Sequence, residues 1–441
     1  MPSDEMSQAT PIAIIGAGYA GLSCAVELAL RGFAVTVFES SRIPGGRARV
    51  AAVGGLALDN GQHILLGAYS ETLRLIRRVG ANPERLLLRL PLGLHYPGEL
   101  ELTVARLPPP LNLMVGLLRA RGLSWSERLA ALRLTSTLRR NSGRLDGGST
   151  VANLLAATRQ PARLNRLLWE PICVSALNTP AENASAQVFA NVLRDALFAD
   201  AQAADLLLPR TDLTRLFPQP AVEWLNRQGH KLLFGESVRG ILPEADGISL
   251  RVDGQVRPER YAGVVIATAP YHASTLLADL PQAAPEKALI DGLAWEPIVT
   301  AYLAYPPEVR LPAPMIGITG GLGQWVFDRG QLGGVTGLLA VVISASGRHQ
   351  ALQRDDLAQA LHGELVAILP GLPAPQWTQV IAEKRATFSC VPGLLRPSVQ
   401  TRIDGLFLCG DYTQSPYPAT LESAVRSGVA CAQAIEAASH Q

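Results

Sequence analysis

Two clusters of residues in this chain have types and spacing suited to chemistry. The first is Gly16-x-Gly18-x-x-Gly21, with Glu39 downstream of it. In this pattern the first glycine turns the chain, the second lets the backbone approach a pyrophosphate, and the third lets a helix pack closely on a strand. A helix starting there points its free N–H groups at the phosphates. Glu39 falls where a carboxylate accepts both hydroxyls of a ribose, which disfavours a 2′-phosphate. The second cluster lies in "LDNGQHILLGAY", Leu58 to Tyr69, where Asn60, Gly61, Gln62 and His63 stand directly before an apolar run. A histidine, with an ordinary pKa of about 6.5, suits a proton donor there. It serves equally well as a hydrogen-bond partner of a cofactor or of the backbone.

These residues need elements to hold them. "PIAIIGAGYAGLSCAVELALRGFAVTVFES" reads as a buried strand from Ile12 to Ile15, the glycine turn, and a helix to about Arg31. A second strand from Ala34 to Phe38 then ends at Glu39. Next, "SSRIPGGRARV" supplies Gly45-Gly46-Arg47, as though a second backbone segment came up to the same ligand. An ordinary turn with a surface arginine is the plainer account of that segment. Far along the chain, "GLFLCGDYTQSPYPATLESAVRSG" runs a short strand, Leu406 to Cys409, into Gly410-Asp411, and a small-residue helix begins near Thr420. An aspartate beside a helix N-terminus suits a polyol chain and an electron-rich ring edge. Together the three segments describe FAD.

With these motifs in place, the chain resembles the flavin-containing amine oxidase and phytoene desaturase superfamily. Within it, "DNGQHILLGAY", "LWEPICVSALNTP", "VLRDALFADAQAADLLLPRTDLTRLFPQPA" and "GDYTQSPYPATLESAVRSG" resemble the hydroxysqualene dehydroxylases of hopanoid biosynthesis, also described as squalene-associated FAD-dependent desaturases. The resemblance covers nearly the whole chain. It implies an α/β fold: a Rossmann-like FAD-binding domain with an inserted mixed α+β substrate domain. The FAD-binding domain would comprise residues 1–85, 205–285 and 386–441, and the substrate domain residues 86–204 and 286–385. Gly16, Ala17, Gly18, Ala20, Gly21, Glu39 and Ser40 would hold the ADP half of FAD. Gly46 and Arg47 would reach the phosphates or the ring region, the strand around Val238 would pass the adenine, and Gly410, Asp411 and Leu421 would take the ribitol. Gly61, Gln62 and His63 would face the isoalloxazine ring. Where related oxidases carry a glycine-rich element, this chain has Thr211-Asp212, so oxidase chemistry does not transfer.

The implied reaction replaces the allylic hydroxyl of hydroxysqualene by hydrogen, giving squalene. Loss of the hydroxyl as water, aided by an acid, and quenching of the allylic cation by hydride from reduced flavin is the simplest route. His63 is the candidate acid and Asp212 the second; Asp212 also fits a helix N-cap before "LTRLF". Asp195 and Asp205 are weaker candidates. Trp169, Phe189, Leu193, Phe198 and Trp325 could line an isoprenoid tunnel or serve as ordinary core. NADPH or a flavin reductase is the expected electron source. The alternatives are a carotenoid desaturase or amine oxidase using oxidised FAD, and a non-catalytic FAD-binding escort of isoprenoid enzymes.

Composition narrows the classes further. With 39 Lys and Arg against 37 Asp and Glu, the chain carries a formal charge of +2, and no basic cluster is interleaved with aromatics, which excludes a nucleic-acid partner. The five cysteines show neither C-x-x-C nor metal-ligand spacing, so no metal is expected and a reducing cytoplasm fits. "MPSDEMSQAT" lacks the features of a secretion signal, and no apolar run is long enough to span a bilayer. Leu111 to Arg140 is the exception to an even surface: six arginines against one glutamate, interleaved with Leu, Met and Trp125. Such a segment either lies on the inner face of the cytoplasmic membrane or packs its apolar side inward under a solvated arginine face.

Overall fold

The computed structural model describes residues 11–53, 55–140 and 144–440. A five-stranded parallel sheet stands at its centre, in the order Lys231–Phe234, Ala34–Glu39, Pro11–Ile15, Gly263–Ile266, Leu406–Leu408. Its strands are apolar on both faces because both are covered. Side chains alternate along a strand, so Ile12 and Ile14 face one core while Ala13 and Ile15 face the other. The first core is closed by the helices Tyr19–Leu30 and Leu421–Ser439, which cross so closely that a Cβ on Gly428 would lie 2.5 Å from the Ala20 carbonyl oxygen.

A second, antiparallel sheet has the order Met315–Gly317, Trp325–Asp328, Leu338–Ser344, Trp295–Ala304, Trp377–Phe388. One face (Val299, Ala301, Leu303, Val341) packs under the helix Arg354–Ile368. The opposite face, with Ile298, Phe327 and Val342, looks toward the glycine turns of the parallel sheet. The helix Glu170–Leu177 is fixed to this sheet by Asn178, which ends it at φ +47°. The Asn178 amide donates to Thr387 Oγ1 at 2.9 Å and accepts from the Ala345 N–H at 2.6 Å.

Several expectations need correction. The strand Trp377–Phe388 runs through the 385/386 boundary, so that boundary does not divide the elements. The helical reading of Leu111 to Arg140 needs none: the segment is a pair of helices, Leu111–Arg119 and Trp125–Arg140, separated at Gly122, whose φ is +89°. Between the helices Val151–Ala157 and Glu170–Leu177, residues Asn165–Trp169 form a π-helical turn that the sequence pattern does not disclose. All five cysteines are buried and free. Among the described residues no group of three or more His, Cys, Asp or Glu forms a metal site, and no helix is long and apolar enough to cross a membrane.

Candidate active site

A cavity of about 800 Å³ lies between the two sheets. At its polar end the first glycine turn hangs between strands, with Gly16 N–H donating to the Phe38 carbonyl at 2.7 Å. The second glycine pair lies against it: Gly45 N–H donates to the Ala17 carbonyl at 2.8 Å, and Gly45 and Gly46 adopt φ of +116° and +61°. Gly45-Gly46-Arg47 therefore approaches the same space as the first turn. Gly18 has an ordinary backbone, φ −78° and ψ −179°, and a Cβ there would meet nothing nearer than Gly46 Cα at 3.9 Å. Conformation does not require glycine at this position; room for a ligand does. Gly21 answers the other need, since its Cβ would stand 2.0 Å from the Gly16 carbonyl oxygen.

Glu39 lines the cavity with each carboxylate oxygen holding one backbone N–H, Ala17 at 2.7 Å and Ser41 at 2.8 Å. Ser40 Oγ also donates to Oε1, at 3.5 Å, and Oε2 keeps a second lone pair for a hydroxyl donor. Arg47 donates to Asp411 Oδ1 at 2.6 Å and to the Ala386 carbonyl at 2.8 Å, joining three distant segments. The helix Leu421–Ser439, capped by Thr420 Oγ1, begins at the cavity wall and turns its positive end toward it. Ala20, Ser40, Gly46, Val238, Gly410 and Leu421 line the same space. Ala17 does not; it is fully buried and serves through its N–H on Glu39.

At the other end Gln62, His63, Ser175, Ile298, Trp325, Phe327 and Val342 form a largely apolar chamber. Trp325 Nε1 donates to Ser175 Oγ at 2.8 Å. His63 Nδ1 is 2.9 Å from the Gly61 carbonyl. A carbonyl only accepts, so Nδ1 carries the proton and Nε2 is the free nitrogen. Burial, helped by the nearby Arg47 charge, lowers the His63 pKa. A proton placed on Nε2 is therefore readily given away.

Asp212 does not reach the cavity. It is the N-cap of the helix Leu213–Leu216, with Oδ1 accepting from the Arg215 N–H at 2.9 Å. Its segment packs behind the glycine turn, where Tyr19 OH donates to the Leu213 carbonyl at 2.8 Å. Asp195 pairs with Tyr417 and Arg194, and Asp205 with Arg89 at 3.3 Å, so neither is a candidate acid. Of the proposed tunnel residues only Trp325 lines the main cavity. Trp169 lines a small apolar cavity with Leu113, Leu117 and Ile172, while Phe189 and Leu193 are core. Sequence reasoning missed Phe327, Ile298 and Val342, which come from strands of ordinary apolar composition.

The cradle, the acid for a ribose, the charged pair and the helix terminus fit FAD. The pattern defining the family "Flavin containing amine oxidoreductase" matches residues 19–436. "Hydroxysqualene dehydroxylase" of Rhodopseudomonas palustris is 31% identical over 96% of this chain and 98% of its own length. The protein of the same name from Sinorhizobium fredii is 29% identical over 94% and 95%. "Zeta-carotene desaturase" of Solanum lycopersicum is more distant, at 24% over 95% of this chain and 79% of its own. Among solved structures, an oxidoreductase from Methanosarcina mazei superposes with a TM-score of 0.76 at 16% identity, covering 96% of this chain and all of that one.

Proposed function

Because the chain belongs to the flavin-containing amine oxidoreductase family and, within it, to the hydroxysqualene dehydroxylases, we propose that this FAD-dependent oxidoreductase converts hydroxysqualene to squalene. The observation that carries the reading is one cavity with a glycine-lined polar end and an apolar end, joined at Gly61–His63. Bound FAD, once reduced, supplies a hydride. Gly16, Gly18 and the N-terminus of Tyr19–Leu30 hold its phosphates, Glu39 its ribose, and Asp411 with the start of Leu421–Ser439 its ribitol and ring edge. His63 Nε2 delivers the proton that lets the allylic hydroxyl leave as water. Ile298, Trp325, Phe327 and Val342 keep other water from the carbon that loses it. Electrons come from NADPH or a flavin reductase; among the described residues one glycine turn of this kind is present, so a nicotinamide has no dinucleotide domain of its own.

An anaerobic single turnover tests this. Photoreduced enzyme given hydroxysqualene should form squalene in proportion to its flavin. His63→Ala should keep its flavin and lose about 10²- to 10⁴-fold in rate, the usual worth of a positioned acid. Flavin that stays reduced beside intact substrate would reject the reading.

The site of action is a membrane surface in the same proposal. Leu111, Met114 and Leu118 recur on one face of the first basic helix, exposed by 51%, 40% and 53%, and Trp125 and Leu129 on the next are exposed by 67% and 61%. Arg128 stacks over Trp125 at 4.7 Å, and Arg119 and Arg121 are exposed beside the break between the two helices. Apolar side chains flanked by arginines suit an anionic bilayer. On their inner side Leu113 and Leu117 line the small apolar cavity that ends at Ile172, one turn from Ser175 and Ala176 of the main cavity. The protein should sediment with anionic liposomes at low salt, and Trp125→Ser/Leu129→Ser should stay in the supernatant. Wild type that remains in the supernatant would remove the membrane from the proposal.

A further inference from the structure

Gln62 is held at one amide atom and unpaired at the other. Its Oε1 accepts from Arg329 Nη1 at 2.9 Å. Because a guanidinium only donates, this contact sets which way the amide points. Gln62 Nε2 then points away from Arg329, and it is buried with no hydrogen-bond partner among the described residues. The side chain is 9% exposed and lines the cavity. Leaving such a donor unpaired costs about 1–3 kcal/mol, which a hydrogen-bond acceptor brought to Nε2 would remove.

The support behind the amide is built with care. The Arg329 side chain is 11% exposed, and its Nη2 lies 4.0 Å from Asp59 Oδ2. Asp59 is itself held, with Oδ1 accepting from the Leu213 N–H at 2.8 Å and its carbonyl accepting from Tyr302 OH at 3.0 Å. A cation on Oε1 draws electrons from the amide and strengthens Nε2 as a donor. Arg329 follows the strand Trp325–Asp328, whose Trp325 and Phe327 wall the apolar chamber. The groups assigned to the cofactor phosphates and riboses stand at the other end.

Resting on the hydroxysqualene reading above, we propose that Gln62 Nε2 donates to the hydroxyl oxygen of the substrate, and that Arg329 and Asp59 are positioning residues that keep the amide in its donating orientation. Squalene has no such oxygen. The product leaves the donor unpaired, and the site therefore favours the hydroxylated chain over the finished one.

The test is equilibrium binding of hydroxysqualene and of squalene, in detergent, to oxidised holoenzyme that cannot turn over, followed by flavin absorbance. Wild type should prefer hydroxysqualene about tenfold, the value of one net hydrogen bond. Gln62→Ala should lose most of that preference, with squalene affinity unchanged and the remainder owed to His63. Gln62→Glu, which keeps the volume and pairs with Arg329 but presents no donor, should lose it to the same extent. Arg329→Met should reduce it while leaving flavin content unaltered. A preference that survives undiminished in Gln62→Ala and Gln62→Glu overturns the assignment. So does a shifted flavin reduction potential with the preference intact, which would give Gln62 to the cofactor. Wild type that binds both lipids equally rejects the role of Gln62 alone; wild type that binds neither rejects the substrate.

Discussion

Gly18→Asp is expected to give a folded protein without flavin. The backbone at this position is one any residue adopts, and an added Cβ has open space with Gly46 Cα at 3.9 Å. Gly18 is also the N-cap of Tyr19–Leu30 and offers no side-chain cap of its own. Aspartate is among the preferred N-cap residues, so its carboxylate would take the free N–H groups and stabilise the helix by about a few tenths of a kcal/mol over glycine. Those N–H groups are the ones a pyrophosphate needs, and the new charge repels it. Flavin affinity should fall at least about a hundredfold, a little under 3 kcal/mol, while the apoprotein melts no lower than wild-type apoprotein. Flavin absorbance after purification and thermal unfolding with added FAD read the two effects separately. Stoichiometric flavin in the variant would show that the cofactor is held elsewhere. Gly21→Ala makes the contrast, because there the fold itself must give way at the 2.0 Å contact.

The second large effect belongs to Arg47. Its ion pair with Asp411 has side-chain exposures of 27% and 9%. Arg47→Met would leave the Asp411 carboxylate buried without its partner and free the Ala386 carbonyl as well. Removing one member of such a pair costs about 3–5 kcal/mol, and the partial exposure of Arg47 favours the lower figure. Arg47→Met/Asp411→Asn, with no charge to strand, should recover roughly half of the loss. Urea unfolding of the two variants decides it: a single variant within about 0.5 kcal/mol of wild type would mean the pair contributes nothing to stability.

How much of this was readable depended on distance along the chain. The turn at Gly16, the helix after it and the acid at Glu39 form one local unit, with pattern and spacing in about thirty residues. Asp212 was readable both as an acid and as a cap, and local hydrogen bonding decided for the cap. Arg47 was legible as a neighbour of the ligand, yet its bond to Asp411, 364 positions away, has no local signature. The same holds for Arg329 and Gln62, 267 positions apart. Trp377–Phe388 went unread as a strand because it is an edge strand with Glu383, Lys384 and Arg385 in its middle, and its order comes from pairing with Trp295–Ala304. Edge strands carry charge as a rule, which blurs the alternation that would reveal them.

The strand order of the parallel sheet has a bearing on how the protein is made. Leu406–Leu408 completes a sheet whose first strand is Pro11–Ile15, and Leu421–Ser439 covers the helix Tyr19–Leu30, with Arg31 meeting Glu436 at 3.0 Å. At about 5–20 residues per second, a ribosome needs roughly 20 to 90 s to pass from one end of this arrangement to the other. Through that interval the apolar flank of the first helix has no cover, and Gly16 and Glu39 have no Asp411 opposite them. Flavin capture thus waits for the segment that carries Asp411, and the nascent protein depends on whatever shields exposed apolar surface until Leu421–Ser439 docks.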